Sequence, residues 1–131
     1  GEIIFLEGQT SSCAYIIDSG LVGVYREDPS GKRSLVRKLS KNDMFGEMGL
    51  IDKYPRSATA IALQDTRCMI IERSRFNYLT KFNPHFMTTL IKSLTEKLRT
   101  TIINLNKIAP ANKNTPSEKT TLSGFFNNKG D

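Results

Sequence analysis

The first part of the chain, from Gly1 to about Arg73, is built from short apolar runs separated by turn residues. Pro presets φ and Gly permits positive φ, so Asp28-Pro29-Ser30-Gly31 is a strong turn signal. Short strands spaced by roughly 8–12 residues are typical of a β sandwich, a barrel or a jelly roll. The runs that we interpret as strands are Ile3–Leu6, Ala14–Asp18, Leu21–Arg26, Ser34–Leu39, Ser57–Leu63 and Arg67–Glu72.

The pattern changes to a helical one after Arg73. Ser74 predicts the cap of a short helix through Leu79, because its side-chain oxygen accepts an early N–H. Asn83 and Pro84 are typical of a second helix start, which we extend to about Ile108. An apolar stripe on this helix predicts packing on the β zone, on a partner helix, or on both. The stripe contains Ile91, Leu94, Leu98, Thr101, Leu105 and Ile108.

The chain has 131 residues, which is enough for one hydrophobic core. We therefore predict a domain over residues 1–109 and a polar, basic tail or linker over residues 110–131, where Lys, Asn, Thr, Ser and Pro dominate. The first residue is Gly1 and not Met, so we expect the chain to be part of a longer protein.

The charged residues and the cysteines exclude several classes of function. The net charge is +6, but it is spread along the chain and predicts no nucleic-acid surface. No apolar run is long enough for a membrane helix, and we expect no membrane contact from this fragment. Cys13 and Cys68 show no metal spacing and fit a reducing compartment, so we expect a cytoplasmic protein without a metal or other cofactor. A single histidine, His85, leaves little from which to build an enzyme.

The segment from Phe45 to Ala60 carries the chemistry. Gly46 and Gly49 let the backbone approach a ligand closely, and the N–H groups of the helical turn after Gly46 favour an anion. Arg56 is suited to a phosphate and Glu47 to a sugar hydroxyl, so together they predict a sugar phosphate. The alternative interpretation is a Glu47–Arg56 salt bridge across a loop, with the glycines as turn residues.

This segment resembles the phosphate-binding cassette of the cyclic nucleotide-binding domain family. The Phe45-Gly46-Glu47 start, Leu50, and the run from Arg56 to Thr59 all match the family's pattern. The similarity extends from Gly1 to Lys107. It implies a mainly β fold, a β jelly roll followed by a short helix and a long C-terminal helix, with further helices expected before Gly1.

The resemblance also implies a ligand, a cyclic purine nucleotide, and we expect cAMP to be preferred over cGMP. Arg56 and Ser57 would hold the phosphate, Glu47 the ribose 2′-hydroxyl, and Gly46 and Met48 would offer backbone groups near the ribose. Thr101 matches a threonine that contacts adenine in part of the family, whereas Lys97 replaces an arginine. The full set of ligand-binding residues implied is Phe45, Gly46, Glu47, Met48, Gly49, Arg56, Ser57, Ala58 and Thr101.

Two functions follow from this resemblance as hypotheses. One is a regulatory sensor in which the final helix transmits nucleotide binding to another part of the protein. The alternative is an orphan domain that keeps the fold without binding nucleotide and serves in dimerisation or interaction. A homodimer through the helix at residues 84–108 is compatible with either.

Overall fold

The computed structural model describes residues 1–108 of the chain, with side chains to residue 106. Their contacts separate a unit at Gly1–Leu98 from a second unit that begins at Arg99. The described part of the second unit is the end of the last helix.

Seven strands and three helices follow one another along the described residues. The strands are β1 (Ile3–Phe5), β2 (Cys13–Ser19), β3 (Val22–Glu27), β4 (Arg33–Leu39), β5 (Met44–Phe45), β6 (Thr59–Ala62) and β7 (Arg67–Glu72). The helices are α1 (Met48–Asp52), between β5 and β6, then α2 (Arg73–Phe82) and α3 (Pro84–Ile108).

The strands form two antiparallel sheets, ordered β1-β6-β3-β4 and β5-β2-β7. The apolar runs of the sequence therefore become strands, and the predicted β roll with C-terminal helices is confirmed. The pattern missed β5, because its two residues are too short for any alternation. The turn at Asp28 is also confirmed: Gly31 has φ of 87°. The hydroxyl of Ser30 and the backbone N–H of Lys32 donate to the Asp28 carboxylate, and these bonds lower its pKa.

Two apolar clusters hold the first unit together. One is centred on Ile17, Val22, Leu39, Phe45 and Ala60, which come from both sheets. The other joins the three-stranded sheet to the helices through Ala14, Met44, Leu50, Ile71, Phe76, Phe86 and Leu90. Phe45 and Leu50 belong to these clusters, so both ends of the cassette's first turn are anchored in the core.

The predicted helix starts are half correct. Asn83 does cap α3, since its side-chain oxygen accepts the N–H of Phe86 at 3.0 Å, and Pro84 is the first helical residue. The cap at Ser74 is wrong, because α2 already begins at Arg73 and its flanking residue, Glu72, makes no side-chain cap. The shift follows from continuity: β7 runs directly into α2 with no intervening loop for Ser74 to occupy.

The apolar stripe of α3 divides between the core and the surface. Leu94 packs against the cluster that contains Phe86 and Leu90. Ile91, Leu98 and Leu105 are instead 58%, 61% and 59% exposed. The side chain of Ile108 lies outside the described residues. Packing on the β zone, one of the predicted arrangements, is therefore confirmed at Leu94, and contact of the exposed residues with a partner helix stays a prediction.

Candidate functional site

Arg56 is a buried arginine whose guanidinium is fixed from several sides. Only 7% of the residue is exposed. Its Nη1 donates to the carbonyl oxygen of Gly46 at 2.7 Å, and its Nη2 lies 3.7 Å from Sγ of Cys13. Its Nε is buried without a hydrogen-bond partner among the described residues. Because a buried N–H without an acceptor is costly, this arginine is well suited to an anionic ligand.

Aromatic rings support the arginine. The carbon centre of the guanidinium lies 4.1 Å from the centroid of Phe5 and 5.9 Å from that of Tyr15. Tyr15 in turn stacks on Phe45 at 5.0 Å. Burial, with a smaller contribution from the hydrogen bond to Cys13, raises the pKa of Tyr15 to about 12. The phenol therefore stays neutral beside the arginine at ordinary pH.

Gly46 and Gly49 are both required by close approach. Gly46 has φ of 77°, and a Cβ there would lie 2.6 Å from Nη1 of Arg56. A Cβ on Gly49 would collide with Ser11 and come within 2.7 Å of the Tyr54 carbonyl oxygen. Contacts inside the protein therefore require glycine at both positions, and the approach of their backbone to a ligand stays a prediction.

Glu47 is fully buried and bound to α3. It has 0% exposure, and Nζ of Lys97 lies 2.6 Å and 2.7 Å from its two carboxylate oxygens. The hydroxyl of Ser93 lies within hydrogen-bond distance of two acceptors, the Met44 carbonyl oxygen at 3.0 Å and one of these carboxylate oxygens at 3.2 Å. The carboxylate is therefore held by the first unit's portion of α3 and not by Arg56. The predicted alternative of a Glu47–Arg56 salt bridge is wrong for this structure.

The cassette brings most of the predicted residues together, with differing exposure. Gly46 joins the two charged groups, because its carbonyl accepts from Arg56 and its peptide leads into Glu47. Met48 and Ser57 are exposed, and Ala58 is half-buried. Thr101 is exposed and belongs to the second unit, so its contact with a base stays a prediction.

Sequence reasoning missed three residues of the site. Ser93 looked like an ordinary polar position of a helix, and Lys97 looked only like a departure from the family. Cys13 gave no signal, because its contact with Arg56 spans 43 residues of sequence. Ser93 and Lys97 are four residues apart, about one helical turn, and this spacing could have predicted that both side chains face the same group.

The site thus combines Arg56, a cation suited to an anionic group, with Glu47, a carboxylate nine residues earlier that accepts hydroxyl donors. A sequence model of the family described as "Cyclic nucleotide-binding domain" matches residues 1–82. The chain belongs to the cyclic nucleotide-binding domain family. The family predicted from the resemblance of the cassette is thereby confirmed, and the matched residues form a binding domain.

Solved and curated relatives agree with this family. A "CRP-like cAMP-activated global transcriptional regulator" of Mycobacterium tuberculosis is 31% identical over 80% of this chain and 47% of its own length. The crystal structure of Thermus thermophilus catabolite activator protein is 29% identical, with a TM-score of 0.73 over 83% of this chain and 51% of that one. "EAL enzyme Bd1971" in its cAMP-bound form is 32% identical, with a TM-score of 0.60 over 81% of this chain and 29% of that one.

This cyclic nucleotide-binding domain spans about half the length of the Mycobacterium tuberculosis and Thermus thermophilus curated relatives that it matches. None of its described helices is long and apolar enough to cross a membrane. Within residues 1–108, no three His, Cys, Asp or Glu side chains gather in a group that could hold a metal ion.

Proposed function

We propose that this domain is a regulatory sensor that binds a cyclic purine nucleotide, with cAMP preferred over cGMP. The observation that carries the proposal is that a buried arginine, Arg56, donates to the carbonyl oxygen of Gly46, the residue directly before a buried carboxylate, Glu47. Relatives described as cAMP-activated or cAMP-bound support the choice of cAMP.

In this proposal Arg56 binds the cyclic phosphate. Its buried Nε is a donor with no other partner among the described residues. Rotation of the guanidinium away from the Gly46 carbonyl would free Nη1 as a second donor. Ser57 adds a hydroxyl from an exposed position, and Phe45 holds Tyr15 against the arginine. A guanidinium on aromatic rings loses little hydration when a phosphate arrives, which favours binding.

Glu47 binds the ribose 2′-hydroxyl in the same proposal, and this couples the ligand to α3. The carboxylate has no exposed surface, so a ligand hydroxyl reaches it only if the side chain of Lys97 or Ser93 moves away. Ligand and helix therefore compete for one carboxylate. We propose that nucleotide binding shifts α3 through this competition, since a ligand biases an equilibrium by its differential affinity for the two states.

A titration of the chain with cAMP and cGMP by calorimetry tests binding and preference together. Arg56→Ala removes a charge-assisted contact worth roughly 1.5–3 kcal/mol, so affinity should fall by about 10- to 100-fold. Arg33→Ala is the matched control, because Arg33 makes only a half-exposed ion pair with Glu27 in the β3–β4 hairpin. Equal losses in both variants would contradict the proposed role of Arg56.

The exposed apolar side chains of α3 favour a second role, in self-association. Ile91 and Leu98 are seven residues apart and Leu105 is seven further on, the spacing of a helix-pairing seam, and all three are exposed. We propose that residues 84–108 form a homodimer contact. This contact would also serve the alternative function, an orphan domain that dimerises without nucleotide. We propose a cytoplasmic location, which fits two free cysteines, Cys13 and Cys68.

A further inference from the structure

Cys13 lies beside an edge of the Arg56 guanidinium that the protein itself uses only in part. Its Sγ is 3.7 Å from Nη2 of Arg56, and Nε of the same arginine is buried without a hydrogen-bond partner among the described residues. Nε and Nη2 form one edge of a guanidinium, with N–H groups that point the same way. The other terminal nitrogen, Nη1, donates to the Gly46 carbonyl oxygen. The edge beside Cys13 therefore keeps a donor that still needs an acceptor.

The surroundings of Cys13 suit a reaction with a small molecule from solvent. The residue is half-buried and helps to line a surface cleft together with Thr10 and Ser12. The phenol of Tyr15, which burial keeps neutral, forms a side-chain hydrogen bond with Cys13. Two donor side chains, Tyr15 and Arg56, thus flank a sulfur that a small molecule can approach through the cleft.

We propose that Cys13 is an oxidation site, and that its sulfinate binds the Nε–Nη2 edge of Arg56 and closes the phosphate site. The oxidant is hydrogen peroxide. The sulfur attacks one peroxide oxygen, an S–O bond forms as the O–O bond breaks, and the departing hydroxide takes the thiol proton and leaves as water. A second peroxide adds a second oxygen to the sulfenic acid in the same way and also leaves water. The sulfinic acid then loses its proton to solvent.

The oxidised side chain matches the arginine better than the thiol does. A sulfinate carries one negative charge on two oxygens, as a carboxylate does, so it can accept from both N–H groups of one guanidinium edge. An oxygen bonded to Sγ on the side of Arg56 lies closer to Nη2 than the sulfur does. The inference rests on the proposed function, which assigns the cyclic phosphate to the same guanidinium. Sulfinate and phosphate therefore compete for one cation, and covalent attachment gives the sulfinate the higher effective concentration.

The second cysteine of the chain provides an internal comparison. Cys68 packs against the cluster that contains Ile17, and burial raises the pKa of its thiol. Because the thiolate is the form that attacks an oxidant, this burial slows the reaction of Cys68 with peroxide. We therefore expect peroxide to oxidise Cys13 before Cys68.

Peptide mass spectrometry and calorimetry with cAMP test the inference on the full chain, before and after treatment with hydrogen peroxide. We expect Cys13 to gain two oxygen atoms before Cys68 does, and the affinity for cAMP to fall by about 10- to 100-fold, as for the loss of a charge-assisted contact. Cys68→Ser is the matched control and should show the same fall. Cys13→Ser should show no fall relative to its own untreated affinity. It keeps the exposed Met48 and Met69, so it also measures the effect of their oxidation.

Two results of this experiment would overturn the inference. One is unchanged cAMP affinity in a folded chain whose Cys13 carries the sulfinate. The other is an equal fall in the peroxide-treated Cys13→Ser variant. A second pair of variants tests the charge without peroxide: Cys13→Asp should bind cAMP more weakly than Cys13→Asn, because only Asp supplies an anion to Arg56. Equal affinity of these two variants would also overturn the inference.

Urea unfolding separates this inference from the proposed function, because it needs no ligand. The sulfinate gains a cationic partner only where Arg56 is present, so oxidation should lower the urea midpoint of Arg56→Gln more than that of the unsubstituted chain. Equal shifts would refute the contact between the sulfinate and Arg56. A reduced chain that binds no cyclic nucleotide would instead refute the proposed function, and the unfolding comparison would still decide whether the sulfinate binds the arginine.

Discussion

Replacing Lys97 by Met tests how tightly α3 is bound to the cassette. The substitution keeps most of the apolar stem of Lys97 and removes the ammonium that lies 2.6 Å and 2.7 Å from the carboxylate oxygens of Glu47. Glu47 is 0% exposed, and the Lys97 side chain is 22% exposed. The variant therefore leaves a buried carboxylate without its cation.

The contact geometry sets the expected magnitude. Two unit charges about 2.7 Å apart attract by about 6 kcal/mol at an effective dielectric constant of about 20. Desolvation of both groups offsets part of this attraction, and removing one member of a buried pair typically costs about 3–5 kcal/mol. Because the ammonium is partly in contact with water, we expect the lower end, about 3 kcal/mol of unfolding free energy.

Urea unfolding followed by circular dichroism measures this loss, and a double-mutant cycle assigns it. Glu47→Gln alone should also destabilise the domain, since it leaves the lysine unpaired. The double variant should recover about 2 kcal/mol relative to the sum of the single losses, because the two groups are in direct contact. The reference cycle uses Arg33→Met and Glu27→Gln, which remove an ion pair whose two side chains are 35% and 36% exposed. Coupling there should stay below about 1 kcal/mol.

Two results would refute this reasoning. One is a Lys97→Met variant within about 0.5 kcal/mol of the unsubstituted protein, the range of an ordinary surface substitution. The other is simple additivity in the double variant, which would mean that the two side chains do not interact in solution.

Three further predictions concern the cassette, Tyr15 and α3. Gly46→Ala places a Cβ against Arg56 on a residue with left-handed backbone, so the free energy of unfolding should drop by at least about 1–2 kcal/mol. Cyclic nucleotide affinity should fall as well, and unchanged affinity would contradict the role of Gly46. Burial raises the pKa of Tyr15 from 10.0 to about 12, so the stability that its neutral phenol contributes is complete below pH 10 and is lost as the pH rises toward 12. An ultraviolet titration should show a late-titrating phenol that Tyr15→Phe removes, and a variant that still shows it would contradict this prediction. Leu98→Glu places a charge at a position that is 61% exposed, so the variant should fold and, if α3 pairs with a second copy, should be a monomer. Sedimentation that shows the unsubstituted chain to be monomeric at high concentration would refute the pairing.

The strands and the long helix could be predicted from the sequence because local signals specify them. The Asp28–Gly31 turn and the Asn83–Pro84 helix start depend on residue types whose backbone preferences act within a few positions. The two-residue strand β5 and the start of α2 could not be predicted, since the neighbouring strand and the direct β7–α2 junction determine them.

The candidate site divides in the same way. Gly46, Glu47 and Arg56 lie within one short segment, so their proximity followed from sequence. The partners of Glu47 did not, because Ser93 and Lys97 are 46 and 50 residues away and reach it only through the packing of α3.

The central claim is that Arg56 and Glu47 form one site for a cyclic nucleotide, and calorimetry on the unsubstituted chain tests it most directly. The ligands are cAMP, 2′-deoxy-cAMP, which lacks only the hydroxyl assigned to Glu47, and adenosine, which lacks the phosphate assigned to Arg56. We predict saturable binding of cAMP, with each analogue weaker by at least about tenfold, as expected for the loss of a hydrogen bond to a charged group. An absence of heat with cAMP at millimolar concentration, or equal affinity for all three ligands, would contradict the claim.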